Sequence, residues 1–201
     1  MRFGFKSFLI NKFTKGNRND NTIIVKSKFN YFIDNDAMIT LQKGNLILND
    51  HMRVCEPFEG MLEMQKNSTI NVHGEFIIYS GMHVILLDDA ILNLGSGYIN
   101  RHVKIRCHNK ISIGEDVAIS ENVSIWDSDA HAIIGKEREM AKPITIGDHV
   151  WIGNNVTILK GVKIGDNSVI AAGSVVNKDI PANCLAGGIP AKILKENINW
   201  K

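Results

Sequence analysis

From Ile146 onward an aliphatic side chain returns at every sixth position: Ile146, Ile152, Ile158, Ile164, Ile170 and Val176. The residue after it is often glycine (Gly147, Gly153, Gly165), and a second position, four residues on, is Val150, Val156, Val162, Ser168 or Ser174. An amphipathic helix would repeat at three and four residues and a half-buried strand at two, so neither explains a strict six. Short strands separated by corners do. If each hexad makes one strand plus a corner, three hexads close a triangular coil and residues eighteen apart stack: Ile146 with Ile164, Ile152 with Ile170, Ile158 with Val176. Neighbouring coils would lie about 4.8 Å apart with backbone groups paired between them. Gly, Asn and Asp would take corner dihedrals that branched residues resist. Each coil buries its inner face only against the next, as in a solenoid.

The period is visible upstream at Ile113, Ile119 and Ile125, with Val117 and Val123 at the second position. Further back it blurs, although STINVHGEFIIYSGMHVILLDDAILNLG still alternates short apolar runs with Gly, Asp and Asn, which reads as looser coils from about Thr22. Between Ile125 and Ile144 the repeat fails: WDSDAHAIIGKEREMAKP is polar and closed by Pro143, and is expected to leave the coil as a loop over 126–143. The expected organisation is an N-terminal arm over 1–21, a parallel β-helix over 22–180, and a segment 181–201. That last segment turns at Gly187-Gly188 and Pro190 and ends in a short capping helix at AKILKENINW. The fold class is all-β.

Composition changes this picture little. Of 201 residues, 44% are hydrophobic, enough for one core, and 23 Lys and Arg against 21 Asp and Glu give no charge excess that points to nucleic acid. Cys55, Cys107 and Cys184 lack ligand spacing and fit a reduced, cytoplasmic protein with small buried thiols. No apolar run reaches the roughly 18–20 residues of a membrane span, and no cleavage site follows the start, so neither export nor spanning is expected. The first eighteen residues hold Arg2, Lys6, Lys12, Lys15 and Arg18 with no acid, interleaved with Phe3, Phe5, Phe8, Leu9, Ile10 and Phe13. Two readings of this arm stand: an element packed on the first coil, or a weak contact with a membrane surface.

The stretch PITIGDHVWIGNNVTILKGVKIGDNSVIAAGSVVNKDIPANCLAGGIPAKILK, Pro143 to Lys195, resembles the hexapeptide-repeat acetyltransferases. The order WIG, AAGSVV, DIP and GGIPAK is similar to the branch holding galactoside, maltose and nodulation-factor O-acetyltransferases and those of capsule and lipopolysaccharide synthesis. The likeness covers Tyr98 to Lys195, about half the chain. It implies a left-handed β-helix, against the usual right-handed crossover. It also implies a homotrimer with sites between subunits, acetyl-coenzyme A along the C-terminal coils, no metal, and a sugar or polysaccharide-precursor hydroxyl as acceptor.

Within that resemblance His131 is the expected general base. It stands where the next inward aliphatic after Ile125 is due, and imidazole can take a hydroxyl proton near neutrality. Asp127 or Asp129 could hold its other ring N–H. Tyr98 and Asn100 match a Tyr-x-Asn that helps form the acceptor pocket. Trp151, outside the inward positions, should face out and wall the groove. Gly153, Asn154, Ala172 and Gly173 match positions whose backbone meets pantetheine, and an N–H near Asn154 could steady an oxyanion. Lys178, Lys192 and Lys195 resemble cations near the coenzyme A phosphates, although relatives carry Arg near the place of Lys195. Rival readings are an N-acetyltransferase of an amino sugar, a non-catalytic β-helix binding module, and a γ-type carbonic anhydrase suggested by His102 and His108 but lacking the close His pair after His131.

Overall fold

A computed structural model of the chain describes residues 4–26, 28–53, 56–131 and 140–201. Arg2, Phe3, Cys55 and the middle of the expected loop, 132–139, lie outside the described residues. Three sheets of nine, seven and six strands run along the molecule, parallel except for the C-terminal pair, and up to Val169–Ile170 each strand pairs with the third one after it. The first face runs from Ile23–Val25 to Cys184–Gly188, the second from Phe29–Ile33 to Val175–Val176, the third from Met38–Leu41 to Lys163–Ile164. This is a three-sided parallel β-helix.

The expected stacks are present: Ile146 lies beside Ile164, Ile152 beside Ile170 and Ile158 beside Val176. They continue across the loop to Ile113, Ile119 and Ile125. Both positions of the hexad point inward, since Val150, Val156, Val162, Ser168 and Ser174 are buried with the aliphatic ladder. The residue before each of them makes the corner in the left-handed region: His149 (φ 51°), Asn155 (58°), Gly161 (78°), Asn167 (58°) and Gly173 (72°). Asn and Gly tolerate that conformation, which is why valine never stands there.

Upstream coils are real but longer. Partners there stand further apart, as in His83 with Lys104 and Thr69 with Ile91, so the strict six is diluted by extra corner residues. A second excursion, between the strands Leu46–Asp50 and Gly60–Met64, was not read from the sequence. The expected loop departs after Trp126 and is closed at its neck, where Lys142 N–H donates to Asp127 O (2.8 Å) and Asp129 N–H to Met140 O (3.1 Å).

Both ends differ from the bare repeat. The N-terminal arm forms a helix, Phe5–Phe13, against the first strand. The C-terminal segment is not a capping helix: Ala191–Glu196 is a strand, antiparallel to Cys184–Gly188. Ala, Lys, Leu and Glu favour helix, but the last first-face strand offers a row of unpaired backbone groups, and pairing them outweighs a propensity of a few tenths of a kcal/mol per residue.

Candidate active site

One groove lies along the corner between the first and second faces. It encloses about 360 Å³ and is lined by Ser120, Trp151, Gly153, Asn154, Ala172 and Leu185, among others. The coil register creates it. Tyr98, Ala118, Trp151, Val169 and Leu185 are successive partners along the outer side of the first face, so the Trp151 ring stands between Ala118 and Val169. Trp151 is 43% exposed and its indole N–H donates to Ser120 Oγ (3.4 Å).

The groove's floor is backbone. A Cβ on Gly153 would lie 2.7 Å from Ala172 N and 2.9 Å from Ile170 O, so only glycine lets these coils approach. Gly153 N–H is spent on Ile170 O (2.8 Å) and Gly173 N–H on Asn154 O (2.8 Å), whereas the N–H groups of Asn154 and Ala172 donate to no described residue. Gly173 borders open space. The small residues expected along a pantetheine path thus sit together, with two backbone donors available.

Upstream, Tyr98 lies on the outer side of the first face and Asn100 on the corner that follows it. Tyr98 is 43% exposed, with its ring edge-on to Tyr79 at 6.3 Å. Beside them Arg101 is clamped by Glu121 and by the buried Glu56 from the 51–59 excursion, whose other oxygen accepts from Ser80 Oγ. Glu121 N–H donates to Asn154 Oδ1 (3.2 Å), which ties this network to the groove. Sequence reasoning missed Ser120, Glu56, Arg101 and Trp200. Continuing the stack backward across the loop from Gly153 would have found Ser120. Nothing in the repeat marks Trp200, which stacks on His149 (4.1 Å, 10°) and lies 6.0 Å from Trp151.

His131 is exposed and stands on the next corner, between the second and third faces, just beyond the loop's neck. It shares no hydrogen bond or ion pair with any described residue of the groove. Neither expected carboxylate holds it. Asp127 is fully buried, accepting from His108 N–H (2.7 Å), Asn109 N–H (2.8 Å) and the buried Cys107 thiol (3.7 Å), so its carboxylate is spent at the turn. Asp129 pairs with Lys160 at 2.6 Å. Lys192 and Lys195 lie on the C-terminal strand opposite Gly187 and Leu185, next to the groove, while Lys178 lies on the corner that also carries His131. All three are exposed. His102 and His108 lie on different corners.

Comparison with known proteins places these features in context. Residues 143–178 match the model described as bacterial transferase hexapeptide (six repeats). The chain is similar to galactoside O-acetyltransferase of Escherichia coli K12, at 46% identity over 49% of this chain and 50% of that one. It is also similar to the lipopolysaccharide biosynthesis O-acetyl transferase WbbJ of the same strain, itself described as putative, at 32% identity over 80% and 88%. Among solved structures, the polysialic acid O-acetyltransferase OatWY superposes with a TM-score of 0.60 and 30% identity, over 94% of this chain and 90% of that one. The chain spans about half the length of several curated relatives that it matches, the galactoside enzyme among them. The coil is the left-handed parallel β-helix.

Proposed function

The chain belongs to the hexapeptide-repeat acetyltransferase family, and from that premise we propose that it is an acetyl-coenzyme A-dependent O-acetyltransferase that works as a homotrimer. The observation that carries this reading is the groove at Gly153, Asn154 and Ala172, small-walled and floored by backbone donors, with an exposed tryptophan at its side. Acetyl-coenzyme A lies with its pantetheine along that groove, and its phosphates meet Lys192 and Lys195 on the adjoining strand and Lys178 from the neighbouring subunit, on the same corner as His131.

His131 is the general base. It stands on a different corner from the groove, so the neighbouring subunit supplies it, and three copies around a threefold axis make three such junctions. Each junction also carries Tyr98 and Asn100 beside the acceptor hydroxyl. The hydroxyl loses its proton to His131 as it attacks the thioester carbonyl. The N–H groups of Asn154 and Ala172 face the charge that develops on that oxygen. The thiol of coenzyme A then leaves and the acetyl ester is formed by direct transfer.

The acceptor class is a sugar or polysaccharide-precursor hydroxyl, consistent with the names of the relatives. The compartment is the cytoplasm, consistent with Cys107 and Cys184, which are unpaired and buried. The exposed N-terminal helix adds a weak membrane-surface contact. Thiol release from acetyl-coenzyme A is to be measured against a panel of neutral, amino and acidic sugars, with the mass taken by light scattering. Hydroxyl-dependent release by a trimer is expected. A fully active monomer would reject the shared site, release only with amino sugars would move the reading to N-acetylation, and coenzyme A binding without turnover on any acceptor would favour a binding module.

A further inference from the structure

The N-terminal helix is built inside out. Its buried residues are Ser7 and Ile10, and with Asn11 they face the coil. Ser7 Oγ accepts from Val25 N–H (2.8 Å) and donates to Val25 O (3.2 Å). Asn11 Oδ1 accepts from Ile23 N–H (3.0 Å) while its Nδ2 donates to Ile23 O (2.7 Å). Two polar side chains thus act as a missing strand on the open edge of Ile23–Val25. Apart from Ile10 and the half-buried Leu9, the helix leaves its hydrophobic residues on the outside: Phe5 is 74% exposed, Phe8 53% and Phe13 70%, and Phe32 on the neighbouring strand is 60% exposed. A helix packed only to cap a solenoid would turn its phenylalanines inward and its serine and asparagine to water. This one does the reverse, at the outermost end of the molecule.

Lysines flank the aromatic face on the side of the helix start, while Asp34 borders Phe13 on the other and Asp50 lies 3.9 Å from Lys26. Lys12 Nζ lies 5.5 Å from the Phe8 ring centre and 5.4 Å from that of Phe13. A groove of about 390 Å³ beside the helix start is lined by Phe5, Lys6, Lys26 and Lys28, among others. No acidic residue occurs before Asp20. Exposed rings flanked by lysines are complementary to a surface that is apolar just beneath a negatively charged layer, which is an anionic phospholipid bilayer.

We propose that the outer face of the helix Phe5–Phe13 docks the protein on anionic membrane, with the phenylalanines entering the headgroup boundary and the lysines meeting lipid phosphates. The number of helices engaged rests on the trimer proposed above. Around a threefold axis along the coils all three helices stand at one end, and the second and third contacts act at high effective concentration.

The test is flotation of the full chain with vesicles of phosphatidylcholine alone and of phosphatidylcholine mixed with phosphatidylglycerol, with no substrate present. The parent should float with the anionic vesicles and lose that binding in high salt. Changing Phe5, Phe8 and Phe13 together to serine leaves Ser7, Ile10 and Asn11 in place, and should lower partitioning at least about tenfold. Thiol release and oligomeric mass should not change. Phe8→Trp alone gives a second readout, a blue-shifted emission on anionic vesicles only. Absence of parent binding, equal binding to neutral vesicles, or a change of mass in the serine variant would overturn the proposal, the last by making the face a subunit contact. His131→Ala should float like the parent, so loss of catalysis and loss of docking are read separately.

Discussion

Replacing Asp127 separates two roles open to a carboxylate four residues before His131. Its side chain is fully buried and accepts from two consecutive backbone N–H groups, those of His108 and Asn109. Asp127→Ala strands both donors. A buried donor without a partner costs about 1–3 kcal/mol. His108 is half-buried and Asn109 exposed, so water recovers part of the loss and about 2–4 kcal/mol remains. For a chain of this size each kcal/mol moves the melting temperature by about 2–4 °C, which gives a fall of about 4–16 °C. Thermal unfolding followed by far-UV circular dichroism measures it, with turnover per folded protein taken well below the new Tm. Turnover should stay within a few-fold of the parent, because Asp127 does not hold His131. A variant that melts within about 2 °C of the parent but loses turnover about a hundredfold would show the opposite, that Asp127 serves the base and not the turn.

His131→Ala should lower turnover at least about 10²-fold and leave the Tm and oligomeric mass unchanged, since the residue is exposed beyond the loop's neck; a folded variant within a few-fold of the parent sinks the mechanism. Gly153→Ala should cost about 1–3 kcal/mol and weaken acetyl-coenzyme A binding, as its Cβ would press on Ala172 N at 2.7 Å; calorimetric affinity equal to the parent's would place the donor elsewhere. Both ring nitrogens of His149 face acceptors, Asp116 Oδ2 (2.7 Å) and Trp200 O (3.1 Å), and the hydrogen bond to Asp116 leads in raising its pKa. The stabilisation that depends on the imidazolium charge is therefore fully present below the ordinary histidine range and is lost as pH rises through the raised folded value. Trp200 emission should change over that interval in the parent and not in His149→Gln, and a flat difference curve would show that the tail is held without the charge.

The coil was legible where its corners are short. From Ile146 to Val176 one residue per hexad goes inward, one takes the left-handed corner and one follows it inward, so spacing alone determined the stacks and the outward course of Trp151. Before Ile113 the corners lengthen and the same physics leaves no fixed period. The excursion at 51–59 went unread for that reason, and with it the Glu56–Arg101–Glu121 network. The C-terminal hairpin was missed because AKILKE has helical propensity and only the finished edge beside it prefers a strand. The position of His131 could be read from the register break. Its separation from the groove could not, because a corner assignment requires counting coils through an insertion of unknown length.

The two irregular ends have a bearing on what the repeat itself cannot control. Layers that add in parallel, each burying itself on the last, have no internal reason to stop, and the exposed rim of one molecule would be a template for another copy, giving head-to-tail fibres. At one rim Ser7 and Asn11 occupy the hydrogen-bonding groups of Ile23–Val25, and Ile39 and Leu41 N–H are taken by Lys15 O and Asn17 O. At the other, Ala191–Glu196 runs backward and presents the wrong polarity for the next parallel layer. On the first face, addition of another parallel layer is thereby disfavoured at both rims by elements outside the repeat.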